Sequence, residues 1–262
     1  MGKNILQEIA AMKRIEVAAM KRIIPLEYLR EQTVDAERGI ISLKESIRNH
    51  RTAIIAEHKR RSPSKGEISP MSNVARIASS YADGGAAGMS VLTDTPYFGG
   101  SLTDLAVARA NAPALPILRK EFIVDEYQLY QARIFGADAV LLIAAMIPAE
   151  EIARLNATAH ELGLETLVEI HNQEELKAVP SDADLVGVNN RDLTSFSTDI
   201  NNSAKLIDCL PTDMVRIAES GIHTPEDIIR LKRAGFNGFL IGEAFMSTPN
   251  PGETLHRFIS ES

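Results

Sequence analysis

Eight short apolar runs recur along the chain, and most end in a charged or polar residue: Ala53–Lys59, Met89–Asp94, Pro116–Lys120, Ala137–Ile143, Thr166–His171, Leu185–Arg191, Met214–Ser220 and Gly238–Glu243. Continuous rather than alternating hydrophobicity marks parallel strands buried on both faces. Between them, helices are expected near Asn73–Ala82, Thr103–Asn111, Glu126–Phe135, Pro148–Leu162, Gln173–Ala178, Asn201–Cys209, Pro225–Ala234 and Pro251–Ile259. Some boundaries are marked by residue type. Thr224 precedes Pro225, Glu226 and Asp227, and Gly136, Gly163 and Gly235 stand where helices close before the next run. This rhythm predicts an α/β fold, a (β/α)₈ TIM barrel.

Three further helices are expected ahead of the first run, over 3–22, Pro25–Gln32 and Ser42–Asn49. The first carries Ile5, Ile9, Met12, Ile15 and Ala19 at three- and four-residue spacing. The similar stretches AAMKRIEV and AAMKRIIP read as two turns of one amphipathic helix rather than as a repeat. This N-terminal helical extension is extra to the barrel and would cover its bottom or form part of a lid over its mouth. No linker or charge run divides the chain. One domain is expected over 1–262, with the extension at 1–50 and the barrel at 51–262. Surface-exposed Met and Ile on the first helix suit a dimer contact, a lid or a barrel contact equally, and a monomer is favoured.

Charge narrows the classes of partner. Among 262 residues, Lys plus Arg is 28 and Asp plus Glu is 35, a formal net charge of −7. Bulk charge therefore argues against nucleic acid, and the absence of Trp leaves no evident stacking platform. The one cysteine, Cys209, excludes an internal disulfide and a cysteine-built metal site, and reads as a small buried or half-buried residue. No apolar run approaches the ~20 residues of a membrane helix. The opening residues lack an uninterrupted apolar core and a cleavage site, so a reduced, cytoplasmic protein is expected.

In barrels of this kind, chemistry sits where strands end and loops begin. Here those ends spell Glu57, Lys59, Asp94, Lys120, Glu169, Asn189, Arg191, Glu219, Ser220 and Glu243. Alternation puts Glu57 and Lys59 on one side of the first strand, as an acid–base pair at the mouth or as a surface salt bridge. The loop after it, containing Ser62, Ser64, Lys65 and Gly66, suits an anion or is simply a solvated basic loop. Lys120 shares a face with Leu118 and Phe122, a setting for a tuned proton donor, although a lone lysine is more often solvated. Glu169 and His171 share a face, and a partly buried Glu can act as general base. Asn189 and Arg191 share a face and suit a carboxylate or a hydroxyl. Glycines after strands seven and eight, Gly221 and Gly242, lie where barrels bind phosphate, whereas either one alone would read as a turn. The six histidines have no ligand spacing and read as surface or structural, so no metal is expected. Neither GxGxxG nor GxxxxGK[ST] occurs, and no nucleotide cofactor is indicated.

Taken together, IIAEHKRRSPSKG (Ile54–Gly66), SVLTDTPYFGGS (Ser90–Ser101), LRKEFIVD (Leu118–Asp125), YQLYQARIFGADAVLLI (Tyr127–Ile143), LETLVEIH (Leu164–His171), GVNNRDL (Gly187–Leu193), AESGI (Ala218–Ile222) and LIGEAFM (Leu240–Met246) closely resemble the indole-3-glycerol-phosphate synthases. The opening ILQEIAAMKRIEV also looks like that family's N-terminal helix. The resemblance covers nearly the whole chain in the family's order, and SPSKG, FGGS, LRKxF and NNRDL are not general barrel features. It implies conversion of 1-(2-carboxyphenylamino)-1-deoxyribulose 5-phosphate to indole-3-glycerol phosphate, with loss of carbon dioxide and water and without a cofactor. By resemblance, Lys120 matches the general acid of ring closure. Lys59 matches a lysine that contacts substrate, and Glu169 the general base or dehydration carboxylate. Glu57 matches the acid that orients the lysines or stabilises a cation. Asn189, Glu219 and Ser220 match polar residues around the reacting centre, and Ser62 and Arg191 groups that hold the substrate's polar ends. Gly221, Gly242 and the Glu243 amide match the phosphate cradle, and Phe98 and Phe122 apolar walls for the anthranilate ring. Some relatives carry Ser at 243; the Glu side chain here is expected to point away from the anion.

Two other readings compete. A phosphoribosylanthranilate isomerase would be expected to use a Cys and Asp pair, but Cys209 falls in an expected helix before strand seven. A non-catalytic metabolite-binding barrel would be expected to have lost one of Glu57, Lys59, Lys120 or Glu169, and all four are present.

Overall fold

Eight parallel strands close into a barrel in the computed structural model, which describes residues 5–34, 38–191 and 197–262. The strands are β1 (Ala53–His58), β2 (Gly88–Leu92), β3 (Ile117–Lys120), β4 (Ala139–Ile143), β5 (Glu165–Ile170), β6 (Leu185–Asn189), β7 (Val215–Glu219) and β8 (Gly238–Ile241). Each pairs with its neighbour in sequence, and β8 closes on β1 with Ala53 opposite Gly238. Strands β1, β2, β4, β6 and β8 are buried along their whole length, the physical reason for their continuous apolar runs. The expected (β/α)₈ barrel is the observed fold.

Ahead of β1 stand α1 (Ile5–Ile23), α2 (Leu26–Val34) and α3 (Leu43–Asn49). The helices that follow are α4 (Val74–Asp83), α5 (Thr95–Phe98), α6 (Leu102–Asn111), α7 (Tyr127–Ile134), α8 (Ala149–Glu161), α9 (Asn201–Leu206), α10 (Pro225–Ala234), α11 (Glu243–Met246) and α12 (Pro251–Ser260). Thr224 and Asp227 form a reciprocal capping box at the start of α10, and Gly235 ends it in a left-handed conformation. The expected helix at Gln173–Ala178 is a 3₁₀ turn, Glu175–Ala178, and the tail of Asn201–Cys209 is another, Ile207–Cys209. Two four-residue helices, α5 and α11, were not anticipated from periodicity, because one turn carries no period.

The extension does both things expected of it, with different helices. Ile5, Leu6 and Ile9 of α1 line the cavity at the barrel mouth. Leu43 and Ile47 of α3 pack against Gly88 and Gly238, which open β2 and β8, and so close the bottom. These α1 and α3 side chains belong to the same apolar cluster as the barrel. A buried carboxylate adds a polar tie at the bottom. Asp138 accepts from the N–H groups of Ile41 (3.0 Å) and Ile117 (2.8 Å) and pairs with Arg38 (2.6 Å) and Arg109.

One expectation is refined and one corrected. The buried stripe of α1 is Leu6, Ile9, Ala10, Lys13 and Val17, while Met12 and Ile15 are exposed. A lysine holds the centre of that stripe because two buried acids of the barrel receive it. Cys209 is exposed rather than buried, since Ile207 and Leu210 on either side of it take the inward positions of the turn. The expected helix start at 3–4 and the end of the GVNNRDL block at 192–193 lie outside the described residues.

Candidate active site

All fourteen site residues read from the sequence line one cavity at the C-terminal mouth of the barrel. Glu57, Lys120, Glu169, Asn189 and Glu219 are supplied by the last turns of β1, β3, β5, β6 and β7. Lys59, Arg191, Ser220 and Gly221 follow in the loops, and Ser62 in a short antiparallel ribbon that pairs Arg61–Ser62 with Gly66–Glu67. Phe98 comes from α5, which Asp94 caps by accepting the Tyr97 N–H. Phe98 and Phe122 face each other with ring centroids 5.9 Å apart and make an apolar wall.

Two lysines and three carboxylates form the polar centre. Lys59 Nζ donates to Glu57 Oε1 at 2.7 Å. Lys120 Nζ donates to Glu219 Oε2 and lies 3.4 Å from Glu169 Oε2. The three acids are at most 4% exposed, so their charges are poorly screened. Burial would push Glu57 up, but Lys59 and Lys120 outweigh it and hold its carboxyl below the usual range. Burial would likewise raise Glu169, and Lys120 and His171 reverse it. Glu219 differs. Its burial wins over Lys120, with Glu169 adding repulsion, and its carboxyl is pushed up to about 7. Burial would lower Lys120, but Glu219, Glu169 and Glu57 together raise it above the ordinary lysine value. The mouth thus holds a firm cation, two firm anions and one acid poised near neutrality.

Backbone geometry makes this crowding possible. A Cβ on Gly242 would stand 2.6 Å from Glu57 Oε1, and one on Gly187 would collide with Glu219 Oε1. Both glycines therefore leave room for a carboxylate. Ser220 adopts a left-handed φ of 67°, unusual for a residue with a side chain. Asn190 fixes it there, donating to the Ser220 carbonyl at 3.0 Å while accepting from the Ser203 N–H and hydroxyl.

Sequence reasoning missed Asn190, and it read His171 only as surface or structural. His171 is half-buried behind Glu169, with Nε2 3.5 Å from Glu169 Oε1 and Nδ1 3.2 Å from Glu175. Its neighbours explain the role, and periodicity does not show them. Glu121 was also missed. It and Asp94 line the same cavity and pair with Lys13 of α1, at 3.3 and 2.9 Å. The Glu243 side chain turns toward the loops of the mouth, onto Lys65 at 3.1 Å and Arg191 at 3.8 Å, two cations that attract it.

The indole-3-glycerol phosphate synthase family matches over residues 6–258. A protein of that name from Bacteroides thetaiotaomicron is 52% identical over 259 residues, spanning 98% of each chain. Another from Salinibacter ruber is 44% identical, over 98% of this chain and 96% of that one. Among solved structures, thiamine phosphate pyrophosphorylase from Pyrococcus furiosus superposes with a TM-score of 0.60 at 14% identity, covering 84% of this chain and 98% of that one. The 3-hexulose-6-phosphate synthase from Salmonella typhimurium gives 0.61 at 12% identity, over 80% and 99%. These two likenesses bear on the fold alone.

Proposed function

The chain belongs to the indole-3-glycerol phosphate synthase family and is a carboxy-lyase of tryptophan biosynthesis, and on that premise we propose which residues perform each step. The reaction closes a ring between the anthranilate carbon that bears the carboxylate and the keto carbon of the deoxyribulose chain. Carbon dioxide then leaves, followed by water.

Lys120 is the general acid of ring closure. As an ammonium held between carboxylates, it offers its proton to the carbonyl oxygen as that oxygen becomes an alkoxide. Glu57 and Glu169 face the positive charge that develops on the condensing amine, and Glu169 serves as base in the dehydration. Lys59 contacts the substrate while Glu57 orients it. Glu219, Ser220 and Asn189 complete the polar wall around the reacting centre. Phe98 and Phe122 hold the anthranilate ring. Ser62 and Arg191 hold the polar ends, and Gly221, Gly242 and the Glu243 amide cradle the phosphate. Gripping a flexible chain at both ends brings its keto carbon to the ring, which is an orientation effect.

The observation that carries this reading is the suspension of Lys120 between Glu219 and Glu169, with the Glu57–Lys59 pair in the same cavity. Side chains of α1 and α3 share the barrel's apolar cluster, which supports extension and barrel as one domain, and a monomer is the state proposed. No helix among the described residues is long and apolar enough to cross a membrane, in keeping with a cytoplasmic setting.

The test is turnover of the carboxyphenylamino-deoxyribulose phosphate, followed by indole fluorescence, for wild type beside Lys120→Met and Glu169→Gln. Each variant is expected to lose roughly 10²–10⁴-fold in kcat, the usual contribution of a positioned acid or base. A variant that retains wild-type kcat would remove that residue from the mechanism.

A further inference from the structure

Glu243 places a carboxylate at the end of the cavity assigned above to the substrate's phosphate. Its Oε1 lies 3.1 Å from Lys65 Nζ in the loop after β1, and its Oε2 lies 3.8 Å from Arg191 Nη2 in the loop after β6. Arg191 is further anchored by donating from Nη1 to Ser64 Oγ at 2.8 Å. One acid thus joins loops from two separate strands across the mouth. Three of these four residues, Ser64, Arg191 and Glu243, line the same cavity as Lys120 and Glu169. The Glu243 side chain is 22% exposed, so it borders solvent rather than being sealed in the core.

We propose that the Glu243 side chain is a resident anion that holds Arg191 and Lys65 in the empty site and sets the affinity for the phosphate end of the substrate. The proposal rests on the reading that phosphate sits beside Gly221, Gly242 and the Glu243 amide. A phosphate there meets a like charge and competes for the same two cations. It binds only as the carboxylate gives them up, so each turnover exchanges one anion for another. The side chain therefore weakens phosphate binding and speeds its release, while its backbone remains part of the cradle.

The test is competitive inhibition by inorganic phosphate, with KM for the substrate measured beside it, in wild type, Glu243→Gln and Glu243→Asp. Gln keeps the shape and removes the charge. Its Ki for phosphate is expected to fall by roughly fivefold or more, the size of one charge–charge interaction at about 4 Å in a watery setting. KM falls with it, and high salt erases the difference. Asp restores the charge and returns Ki toward wild type. A carboxylate that merely supported the loops would give weaker, not tighter, phosphate binding on removal, so an unchanged or raised Ki in Glu243→Gln overturns the proposal while leaving the phosphate end in place. Failure of inorganic phosphate to compete with substrate in the wild type would overturn the phosphate assignment itself, and the proposal with it.

Discussion

Replacing Lys13 with Met tests whether the helical extension is locked to the barrel by charge. Lys13 Nζ lies 2.9 Å from Asp94, 3.3 Å from Glu121 and 2.9 Å from Glu16. Lys13, Asp94 and Glu121 are at most 4% exposed in their side chains, whereas Glu16 is 45% exposed. Burial alone would lower the Lys13 pKa, but Glu121 and Asp94 raise it above the ordinary lysine value, so the stabilisation it gives is fully present at neutral pH. In Lys13→Met, Glu121 keeps Arg119 at 3.5 Å, the Thr93 hydroxyl at 2.7 Å and the Phe122 N–H at 2.9 Å. Asp94 keeps the Tyr97 N–H at 2.8 Å. Two buried carboxylates then share one cation. Breaking a buried pair from one side costs about 3–5 kcal/mol, and Met preserves most of the apolar stem, so little of that is cavity. Urea unfolding measures it. The double variant Lys13→Met/Asp94→Asn is expected to lose less than the sum of the two singles, because each removes the same interaction. Ile5, Leu6 and Ile9 line the cavity from the same helix, so KM is expected to rise as α1 loosens. A loss of under about 1 kcal/mol in Lys13→Met, or strict additivity in the double variant, would refute the reasoning.

Two further outcomes follow from single buried groups. His58 is held down to about 4 by burial and by Arg60, against an unfolded value near 6.5, so the unfolded chain binds its proton first as pH falls. Stability is therefore expected to decline by about 3 kcal/mol between pH 6.5 and pH 4, and the difference in unfolding free energy between wild type and His58→Asn should trace that window; a difference that does not change with pH would show that His58 titrates normally. Gly187→Ala is expected to displace Glu219, whose Oε1 its Cβ would strike, and, on the role proposed for Glu219, to lower kcat about a hundredfold, as a 1 Å misplacement in a reacting centre does; unchanged turnover would show that Glu219 has room to move.

The strands were legible because each is buried on both faces, and a continuous apolar run followed by a charge is hard to place elsewhere. That the candidate residues would gather at one mouth was legible for the same reason, since register at a strand end decides which side chains reach it. What could not be read was pairing. Nothing in local sequence says that Lys120 meets Glu219, 99 positions away, rather than its neighbour Glu121, which turns to Lys13. The first helix shows the same limit from the other side. A stripe through Met12 and Ile15 has good helical spacing, yet those residues face solvent and Lys13 is buried, because the surface it meets is acidic. Periodicity finds the face that is apolar, whereas packing selects the face that is complementary. The exposure of Cys209 and the inward turn of Glu243 are further cases decided by neighbours rather than by residue type.

The charge count at the mouth links stability to reaction. Glu57, Glu169 and Glu219 face Lys59 and Lys120, so with these five groups ionised and His171 neutral the buried centre carries one excess negative charge. Such an excess is costly in a poorly screened setting, and Glu219 relieves it by holding a proton up to about pH 7. A substrate that becomes cationic on ring closure relieves it differently, by supplying the missing positive charge at the moment it forms. The cavity is thus least comfortable when empty and best compensated when the condensing amine is charged, which is differential stabilisation of the reacting state over the free site. The same logic separates the two ends of the cavity. At the reacting end surplus negative charge awaits a cation, while at the Arg191 and Lys65 end a carboxylate of the chain occupies two cations until another anion arrives. One substrate, anionic at its phosphate and transiently cationic at its amine, answers both imbalances in a single orientation.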